Sequence, residues 1–417
     1  MKLSGFNYNL PKELIANHHI EPRDHSRLLV VDRNNKQIEH RHFYDILGYF
    51  QKGDILVFNN SRVFKARIYG NKETGGKVEL LLIRPVGACP CGRPSSDWEA
   101  LIRGKVKAGD GIFFENKLEL EVIEKKERSC VVRFNKNTSN VFKYLEKYGE
   151  IPLPPYVARN PKSQIPMINQ ISNSKSQYPI FNITIFSNRK NKILQKDNFF
   201  YQTVYSKNVG SVAAPTAGFH FTHELIKKIK KKGVEILEIT LHVGPGTFLP
   251  VESEKIEEHK MHEEFFEVKK EVWEKVLQAK ADGRRIISVG TTTTRVLETL
   301  GKNQKSKIKS QNYRVPSGQI FKNVPKIPKS PKSPKNLNNP EFIIGSTDIF
   351  IYPPYRFEVI DALITNFHLP KSTLMMLVSA FLAPGKKTGV TLLKKLYLIA
   401  VKKKYRFYSF GDSMFIK

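Results

Sequence analysis

Two histidines lie in short segments rich in small residues, a combination that suits proton transfer beside a closely held ligand. His220 lies in residues 211–222 (SVAAPTAGFHFT), and His242 lies in residues 241–248 (LHVGPGTF). An imidazole exchanges protons nearest to neutral pH, and glycine lets a backbone approach a ligand closely. The candidates for ligand contact in these segments are Thr216, Gly218, Gly244 and Gly246. The alternative is a pair of tight turns whose histidines belong to the core.

Two further loops carry polar side chains directly after predicted strands. Residues 290–295 (GTTTTR) supply Thr291 and Arg295, and residues 365–373 (TNFHLPKST) supply Thr365, Asn366, His368 and Lys371. Ligands of α/β proteins bind outside the carboxyl ends of the strands, and a loop that opens a helix favours an anionic group. The glycine spacing of a P-loop or of a dinucleotide fingerprint is absent. Together with the histidine segments, these loops predict one composite pocket.

No metal site is predicted from the cysteines and histidines. A structural zinc ion takes four ligands, and Cys89 and Cys91 are followed only by the isolated Cys130. In residues 259–262 (HKMH), Lys260 stands where a zincin motif has glutamate. A role in a substrate pocket or in helix capping fits this segment better.

Alternating strand-like and helix-like segments predict the elements that position these loops. Strands are predicted at 27–32, 54–58, 234–242, 285–289 and 361–365, and helices at 224–232, 270–282, 296–300, 374–383 and 390–404. Such alternation is typical of an α/β fold. We therefore predict an α/β main domain made of residues 1–62 and 200–417.

Residues 63–158 have a different character, with short β-rich runs separated by Gly, Lys and Asn. Two of them, 77–83 (KVELLLI) and 118–123 (LELEVI), read as strands, and the second alternates strictly. Several short strands at this spacing indicate a small barrel or sandwich. We predict a β-barrel domain inserted into the main domain.

The net charge of +30 is concentrated in two stretches and indicates a polyanionic partner. Residues 159–196 and 302–340 hold 17 of the 69 Lys and Arg residues and no acid, and the second stretch has Pro at every third position from 325 to 334. That period matches polyproline II. We predict basic, disordered inserts at 159–199 and 302–341. Nucleic acid is the simplest partner, with acidic lipid as the alternative.

Three cysteines in 417 residues fit a reducing compartment rather than a disulfide framework. The first twenty residues lack the continuous apolar stretch of a signal peptide. The longest apolar run, 374–383 (LMMLVSAFLA), is too short to span a bilayer. These features predict a cytoplasmic protein without a membrane segment.

Long motifs along the chain resemble the S-adenosylmethionine:tRNA ribosyltransferase-isomerases, enzymes of queuosine biosynthesis. Besides SVAAPTAGFHFT and HVGPGTF, the resemblance is carried by 8–33 (YNLPKELIANHHIEPRDHSRLLVVDR), 72–82 (KETGGKVELLL) and 361–381 (DALITNFHLPKSTLMMLVSAF). It extends from end to end apart from the two basic inserts. It implies an α/β domain with an inserted small β-barrel, in agreement with the pattern of the residues.

The resemblance implies that S-adenosylmethionine is a consumed ribosyl donor and that no resident cofactor is needed. The implied acceptor is the 7-aminomethyl-7-deazaguanine wobble base of a tRNA with a GUN anticodon. The products would be epoxyqueuosine-tRNA, adenine and methionine. A sulfonium acidifies the adjacent ribose hydrogens, and departing adenine needs a proton. We therefore expect His220 and His242 to serve as general base and acid, in an order left open.

Other roles also follow from the resemblance. Arg295, Asn366 and His368 are expected to bind the methionine carboxylate, the ribose hydroxyls or the acceptor base. Arg62, Arg67, Lys394 and Lys395 are expected to contact tRNA, although Lys394 and Lys395 also fit a plain solvated helix face. The inserts either raise tRNA affinity or are neutral expansions. The chain is expected to act as a monomer.

The chain departs from the family pattern at 59–62, where Asn-Asn-Ser-Arg replaces the usual Asn-Asp-Thr-Arg, so a catalytic role for that acid is in doubt. Two other classes stay open. A non-catalytic RNA-binding protein fits the charge but leaves the four polar loops unexplained. An S-adenosylmethionine-dependent methyltransferase would need a Gly-rich loop after its first strand, where this chain has Arg33-Asn34-Asn35-Lys36.

Overall fold

The computed structural model describes residues 1–86, 96–127, 129–154, 157, 200–248, 251, 253–309 and 341–417. The predicted insert at 159–199, most of the one at 302–341, and Cys89 and Cys91 lie outside the described residues.

Strands and helices alternate along the described chain. The strands are β1 (Arg27–Val31), β2 (Ile38–His42), β3 (Ile55–Asn59), β4 (Ser61–Val63), β5 (Arg67–Lys72), β6 (Lys77–Pro85), β7 (Asp97–Arg103), β8 (Gly111–Phe114), β9 (Leu118–Lys125), β10 (Cys130–Phe134), β11 (Asn208–Ser211), β12 (Glu235–Leu241), β13 (Glu264–Lys269), β14 (Ile286–Val289), β15 (Phe342–Thr347), β16 (Ala362–Asn366) and β17 (Ser413–Ile416). The α-helices are α1 (Thr138–Tyr148), α2 (His223–Lys231), α3 (Lys270–Ala281), α4 (Thr291–Lys309), α5 (Thr373–Leu382) and α6 (Gly389–Lys402).

Nine strands form the main sheet in the order β15-β13-β12-β3-β14-β16-β17-β1-β2. The central strands β12, β3, β14 and β16 are all parallel. Their carboxyl ends therefore share one edge of the sheet. β17 is antiparallel to β16, with Ser413 opposite Asn366, so the residues that precede β17 reach the same edge.

The central strands are buried on both faces. Ile55 and Val57 of β3 belong to one core cluster, and the alternate residues Leu56 and Phe58 belong to another. Strands covered on both faces read as continuous apolar runs because neither face meets water. The first cluster includes residues of α3, α4, α5 and α6, whereas the second includes residues of α2 and of the 3-10 helix Phe43–Tyr49.

The inserted domain is a closed six-stranded barrel with the order β10-β7-β6-β5-β8-β9. Leu118, Leu120 and Val122 of β9 are buried, whereas the alternating Glu119 and Glu121 are exposed, as expected for a barrel with a filled interior. α1 packs Val141 and Leu145 into the same core. The prediction of an α/β domain with an inserted β-barrel is confirmed.

Two local predictions were wrong. Residues 291–295, predicted as a loop, form the first turns of α4, because Gly290 with φ +91° already completes the turn after β14. At its other end α4 continues to Lys309, so residues 302–309 are helical rather than part of a loop. Residues 302–309 contain no Pro or Gly, so no residue of these helix-breaking types interrupts the helix there.

Candidate active site

The four predicted loops meet at the carboxyl edge of the main sheet, around an open cavity whose empty space, open solvent included, is about 530 Å³. We call this cavity the polar chamber. Thr216, Val243, Thr291 and Asn366 each come from a different loop and line it, as do Gly290, Thr365 and His368. The convergence follows from the parallel pairing of β12, β14 and β16, which places the residues after each strand side by side.

Asn366, the last residue of β16, connects three parts of this site. Its side-chain oxygen accepts a hydrogen bond from Thr216 Oγ1 at 3.3 Å. Its Nδ2 lies 3.2 Å from the carbonyl oxygen of Tyr408 and 3.2 Å from Nε2 of His220. Because a carbonyl only accepts, Nδ2 must be the atom that faces Tyr408, and its second hydrogen points to His220. The orientation of the amide is therefore determined.

His220 is 3% exposed and lies behind Asn366 rather than on the cavity wall. Its Nε2 accepts from Asn366, so the ring proton is on Nδ1 and is donated to Ser26 Oγ at 2.7 Å. Burial, assisted by the positive charges of Arg23 and Arg406, lowers the pKa of His220 to about 3. The imidazole is neutral at pH 7, and its only free lone pair is already used by Asn366.

His368 is the histidine that lines the polar chamber itself. Its Nε2 lies 2.8 Å from Thr365 Oγ1, and its backbone N–H donates to the hydroxyl of Tyr397 at 3.0 Å. Tyr8 donates to its backbone carbonyl at 2.5 Å. Burial lowers the pKa of His368 to about 3, so this ring is neutral as well.

His242 follows β12 and packs its ring against Gly210, where an added Cβ would lie 2.7 Å from the ring. Gly210 has φ +150°, so both the close contact and the backbone conformation require glycine there. Burial lowers the pKa of His242 to about 4. The next residue, Val243, lines the polar chamber, whereas His242 itself lies one residue behind that wall.

The glycines predicted to contact ligand have different surroundings. A Cβ at Gly218 would clash with the hydroxyl of Tyr205, and one at Gly246 would clash with the ring of His262. These two glycines therefore allow close packing within the protein. A Cβ at Gly244 would meet nothing within 4 Å, so Gly244 borders open space.

Arg295 is 4% exposed and forms an ion pair with Glu264, which is also 4% exposed. Its other donors go to the carbonyl oxygens of Thr347, at 3.1 Å, and Ile349, at 3.2 Å. Glu264 also accepts from the backbone N–H of Gly244 at 3.2 Å. The two charges of this buried pair compensate each other. Through Glu264 and the two carbonyls, Arg295 connects α4 to the loop after β12 and to β15. Sequence analysis missed Glu264, although a buried arginine requires such a partner.

The remaining predicted residues lie on the surface, with one exception. Lys371 is exposed, has φ +60° and donates its backbone N–H to Phe6. Arg62, Lys394 and Lys395 are exposed. Arg67 is buried in the barrel and ion-paired with Glu79 at 3.0 Å, so its guanidinium does not face solvent. Asn60, the departure from the family pattern, hydrogen-bonds to Glu238 and Thr240 and is not among the residues lining the polar chamber.

Tyr408 and Ser409 also line the polar chamber and were not predicted. They precede β17 by only a few residues, and the antiparallel pairing of β17 with β16 brings them to the carboxyl edge. Ser26, which holds His220, precedes β1 and arrives for the same reason, since β1 is parallel to β17. An antiparallel strand brings the residues that precede it, rather than those that follow it, to the carboxyl edge. The sequence does not show whether a strand will pair parallel or antiparallel.

Among the described residues, no group of three His, Cys, Asp or Glu side chains is arranged to hold a metal ion. The described helices include none whose length and apolar character would let it cross a bilayer.

The chain matches one family of known proteins over almost its whole length. The model of the queuosine biosynthesis protein family matches residues 3–416. A protein from Thermosipho melanesiensis named S-adenosylmethionine:tRNA ribosyltransferase-isomerase is 42% identical over 419 residues, covering 100% of both chains. One of the same name from Sulfurihydrogenibium is 40% identical, also covering 100% of both chains. The crystal structure of an S-adenosylmethionine tRNA ribosyltransferase from Thermotoga maritima is 31% identical with a TM-score of 0.47, over 99% of this chain and 100% of that one.

Proposed function

This chain belongs to the queuosine biosynthesis family, and on that premise we propose that the polar chamber is the active site of a ribosyltransferase-isomerase. The enzyme transfers the ribosyl moiety of S-adenosylmethionine to the 7-aminomethyl-7-deazaguanine wobble base of tRNA and isomerises it. Epoxyqueuosine-tRNA forms, and adenine and methionine are released. The observation that carries this proposal is the full-length identity of 42% with a relative of that name. The convergence of four polar loops on one cavity supports it.

The side chains around the chamber suit the proton transfers of this reaction. A base must remove a ribose proton beside the sulfonium, an acid must protonate departing adenine, and the attacking amine must be neutral. Low pKa values keep the imidazoles of His220 and His242 neutral near pH 7. The lone pair of His220 accepts the hydrogen bond from Asn366, so His220 can take a proton only after Asn366 turns away. We assign the proton transfers to this pair, in an order left open: a neutral imidazole takes the ribose proton, and the imidazolium so formed gives a proton to the departing adenine.

S-adenosylmethionine is a consumed substrate in this proposal, and the reaction uses no resident cofactor. The Thr, Asn and Ser side chains of the polar chamber can form hydrogen bonds with the hydroxyl groups of a ribose. The nearby backbone at Gly244 is open enough for a nucleoside to approach.

A product assay with S-adenosylmethionine and tRNA carrying the precursor base tests the function. The wild-type protein is expected to release adenine and methionine in equal amounts, and the His220→Ala/His242→Ala variant is expected to release them at least about 100-fold more slowly. Release of S-adenosylhomocysteine instead would identify a methyltransferase. Binding of tRNA without any product would identify an RNA-binding protein, and unimpaired turnover by the variant would remove both histidines from the mechanism.

The proposed partner is a cytoplasmic tRNA with a GUN anticodon, bound by the protein as a monomer. Arg62, Lys394 and Lys395 are exposed and can reach phosphates, whereas the buried Arg67 cannot. Lys394 and Lys395 lie on α6, which also carries Tyr397, the hydroxyl partner of the His368 backbone. This helix therefore packs beside the chamber, and its exposed lysines are placed to hold a tRNA whose wobble base enters the site.

Neutralising these two lysines should weaken tRNA binding through the loss of phosphate contacts. For a Lys394→Ala/Lys395→Ala variant, we expect the slope of log affinity against log salt to become less steep by about 1 to 2 units. The slope is measured by tRNA titration at several salt concentrations. A matched control is Lys230→Ala/Lys231→Ala. These exposed lysines lie at the end of α2, just before β12 begins, and therefore at the edge of the sheet opposite to the chamber. An equal change in both variants would mean that α6 makes no specific contact.

A further inference from the structure

A second, smaller cavity adjoins the polar chamber. Its empty space, open solvent included, is about 350 Å³, and most of its lining side chains are apolar, among them Met261, Phe350 and Leu377. We call it the apolar chamber. Thr291, Thr292 and Leu374 line both chambers, so the first turn of α4 forms part of the boundary between them. The site is therefore a two-part pocket, and its smaller part has fewer polar lining residues.

The hydroxyls of Thr291 and Thr292 have no hydrogen-bond partner among the described residues, although these side chains are only 6% and 8% exposed. The next two threonines behave differently. Thr293 donates to the Val289 carbonyl at 2.8 Å, and Thr294 donates to Ser288 Oγ at 2.9 Å. Threonines 293 and 294 thus stabilise the start of the helix, whereas Thr291 and Thr292 present unused hydroxyls at the boundary of the two chambers. Both residues line the cavities, so their hydroxyls are open to whatever occupies them, water or a ligand group.

The same position carries the positive end of a long helix. α4 has 19 residues, and the N–H groups of its first turn lack intrahelical acceptors. Those N–H groups and the helix dipole favour an anion at this place. The obvious alternative anion-binding group, the guanidinium of Arg295, is already paired with Glu264 and with two backbone carbonyls.

We propose that the apolar chamber binds the methionine half of S-adenosylmethionine, with its carboxylate on the first turn of α4 at Thr291 and Thr292. This inference rests on the proposed function and adds the orientation of the donor. The methylene chain then packs against Leu374 and Met261 in the smaller chamber, and the larger adenosine half occupies the polar chamber beside Thr216 and Asn366. The sulfonium then lies between the two chambers, with its ribose on the side of Asn366.

The proposal is tested by comparing two donors in binding measurements that need no turnover. S-adenosylmethionine and its decarboxylated analogue are titrated calorimetrically into the wild-type protein and into a Thr291→Val/Thr292→Val variant. We expect the variant to bind S-adenosylmethionine about 10-fold more weakly and the decarboxylated analogue with less than about a 2-fold change, since only the first has the carboxylate. Inhibition by methionine should weaken in parallel, whereas inhibition by adenine should not.

Valine keeps the β-branched shape, and neither hydroxyl has a described partner, so the variant should fold normally. Thr391→Val is a matched control, because Thr391 is exposed in the first turn of α6. An equal loss of affinity for both donors, or no loss for either, would overturn the assignment of the carboxylate while leaving the function intact. If the wild-type protein binds neither donor, the proposed function fails together with this inference.

Discussion

An Asn366→Asp variant is expected to lose about 1000-fold in kcat/KM for ribosyl transfer while it keeps the shape of the side chain. The amide Nδ2 donates to the Tyr408 carbonyl and to His220 Nε2, both at 3.2 Å. A carboxylate has no hydrogen to donate, and it places negative charge against the lone pairs of the Tyr408 carbonyl oxygen and of His220 Nε2. Each buried bond to such a group is worth about 1–3 kcal/mol when its partner is left unsatisfied, and 4 kcal/mol corresponds to about 1000-fold. The measurement is steady-state kinetics of adenine release.

Variants of His220 show whether that residue transfers a proton itself or holds Asn366 in place. In His220→Gln, the new side-chain oxygen can accept the Asn366 hydrogen, whereas in His220→Leu nothing can. If His220 is a positioning residue, the glutamine variant should retain at least 10-fold more activity than the leucine variant. If both variants are equally inactive while folded, the imidazole is required as a base or acid. For the Asn366→Asp variant, the matched control is Asn34→Asp in an exposed turn, which should change neither activity nor folding.

Mild acid is expected to destabilise the protein strongly, because three buried histidines and the half-buried His242 are held neutral. Burial lowers the pKa of His19, His220 and His368 to about 3 and that of His242 to about 4. An unfolded histidine has a pKa of about 6.5. Below that value the unfolded chain binds more protons than the folded chain, so stability is complete above about pH 6.5 and falls as the pH falls.

Each of these histidines can cost about 1.4 kcal/mol for each pH unit below 6.5, so the free energy of unfolding should fall by about 5 kcal/mol between pH 7.5 and 5.5. Urea denaturation at several pH values measures it. A His19→Phe variant, which places a fourth aromatic ring beside Phe200, Phe219 and Phe410, should lose about a quarter of this dependence. The exposed neighbour His18 provides the control, and His18→Gln should leave the pH dependence of the free energy of unfolding unchanged. A free energy that is constant over this range would contradict the assignment of neutral, buried rings.

The sequence predicted the central part of the fold because the local signals and the tertiary environment agree there. β3, β12, β14 and β16 are buried runs flanked by turn residues, and the structure places each within one or two residues of the predicted position. The strict alternation of 118–123 likewise becomes β9, with one face inside the barrel. In these segments, periodicity reports burial directly.

Predictions were less successful where a residue type fits two environments. Arg67 has the charge of a tRNA contact, yet the barrel buries it beside Glu79. Arg295 looks like an anion-binding group at the start of a helix, yet it is neutralised by Glu264, which is 31 residues distant in the chain. A charged side chain has the same appearance in a sequence whether its counterion is a ligand, a phosphate or another residue. Only the packing of distant strands decides which of these it is.

The sequence alone determined that four polar segments follow strands of an α/β domain, because each segment and its strand are neighbours along the chain. The tertiary structure decided how these segments are used. It placed His220 behind Asn366 and brought Tyr408 and Ser409 to the chamber through an antiparallel strand. It also left the hydroxyls of Thr291 and Thr292 at the boundary of two cavities. The physical reason is that the direction in which a side chain points depends on contacts between segments that are 42 to 194 residues apart here, and no local pattern records them.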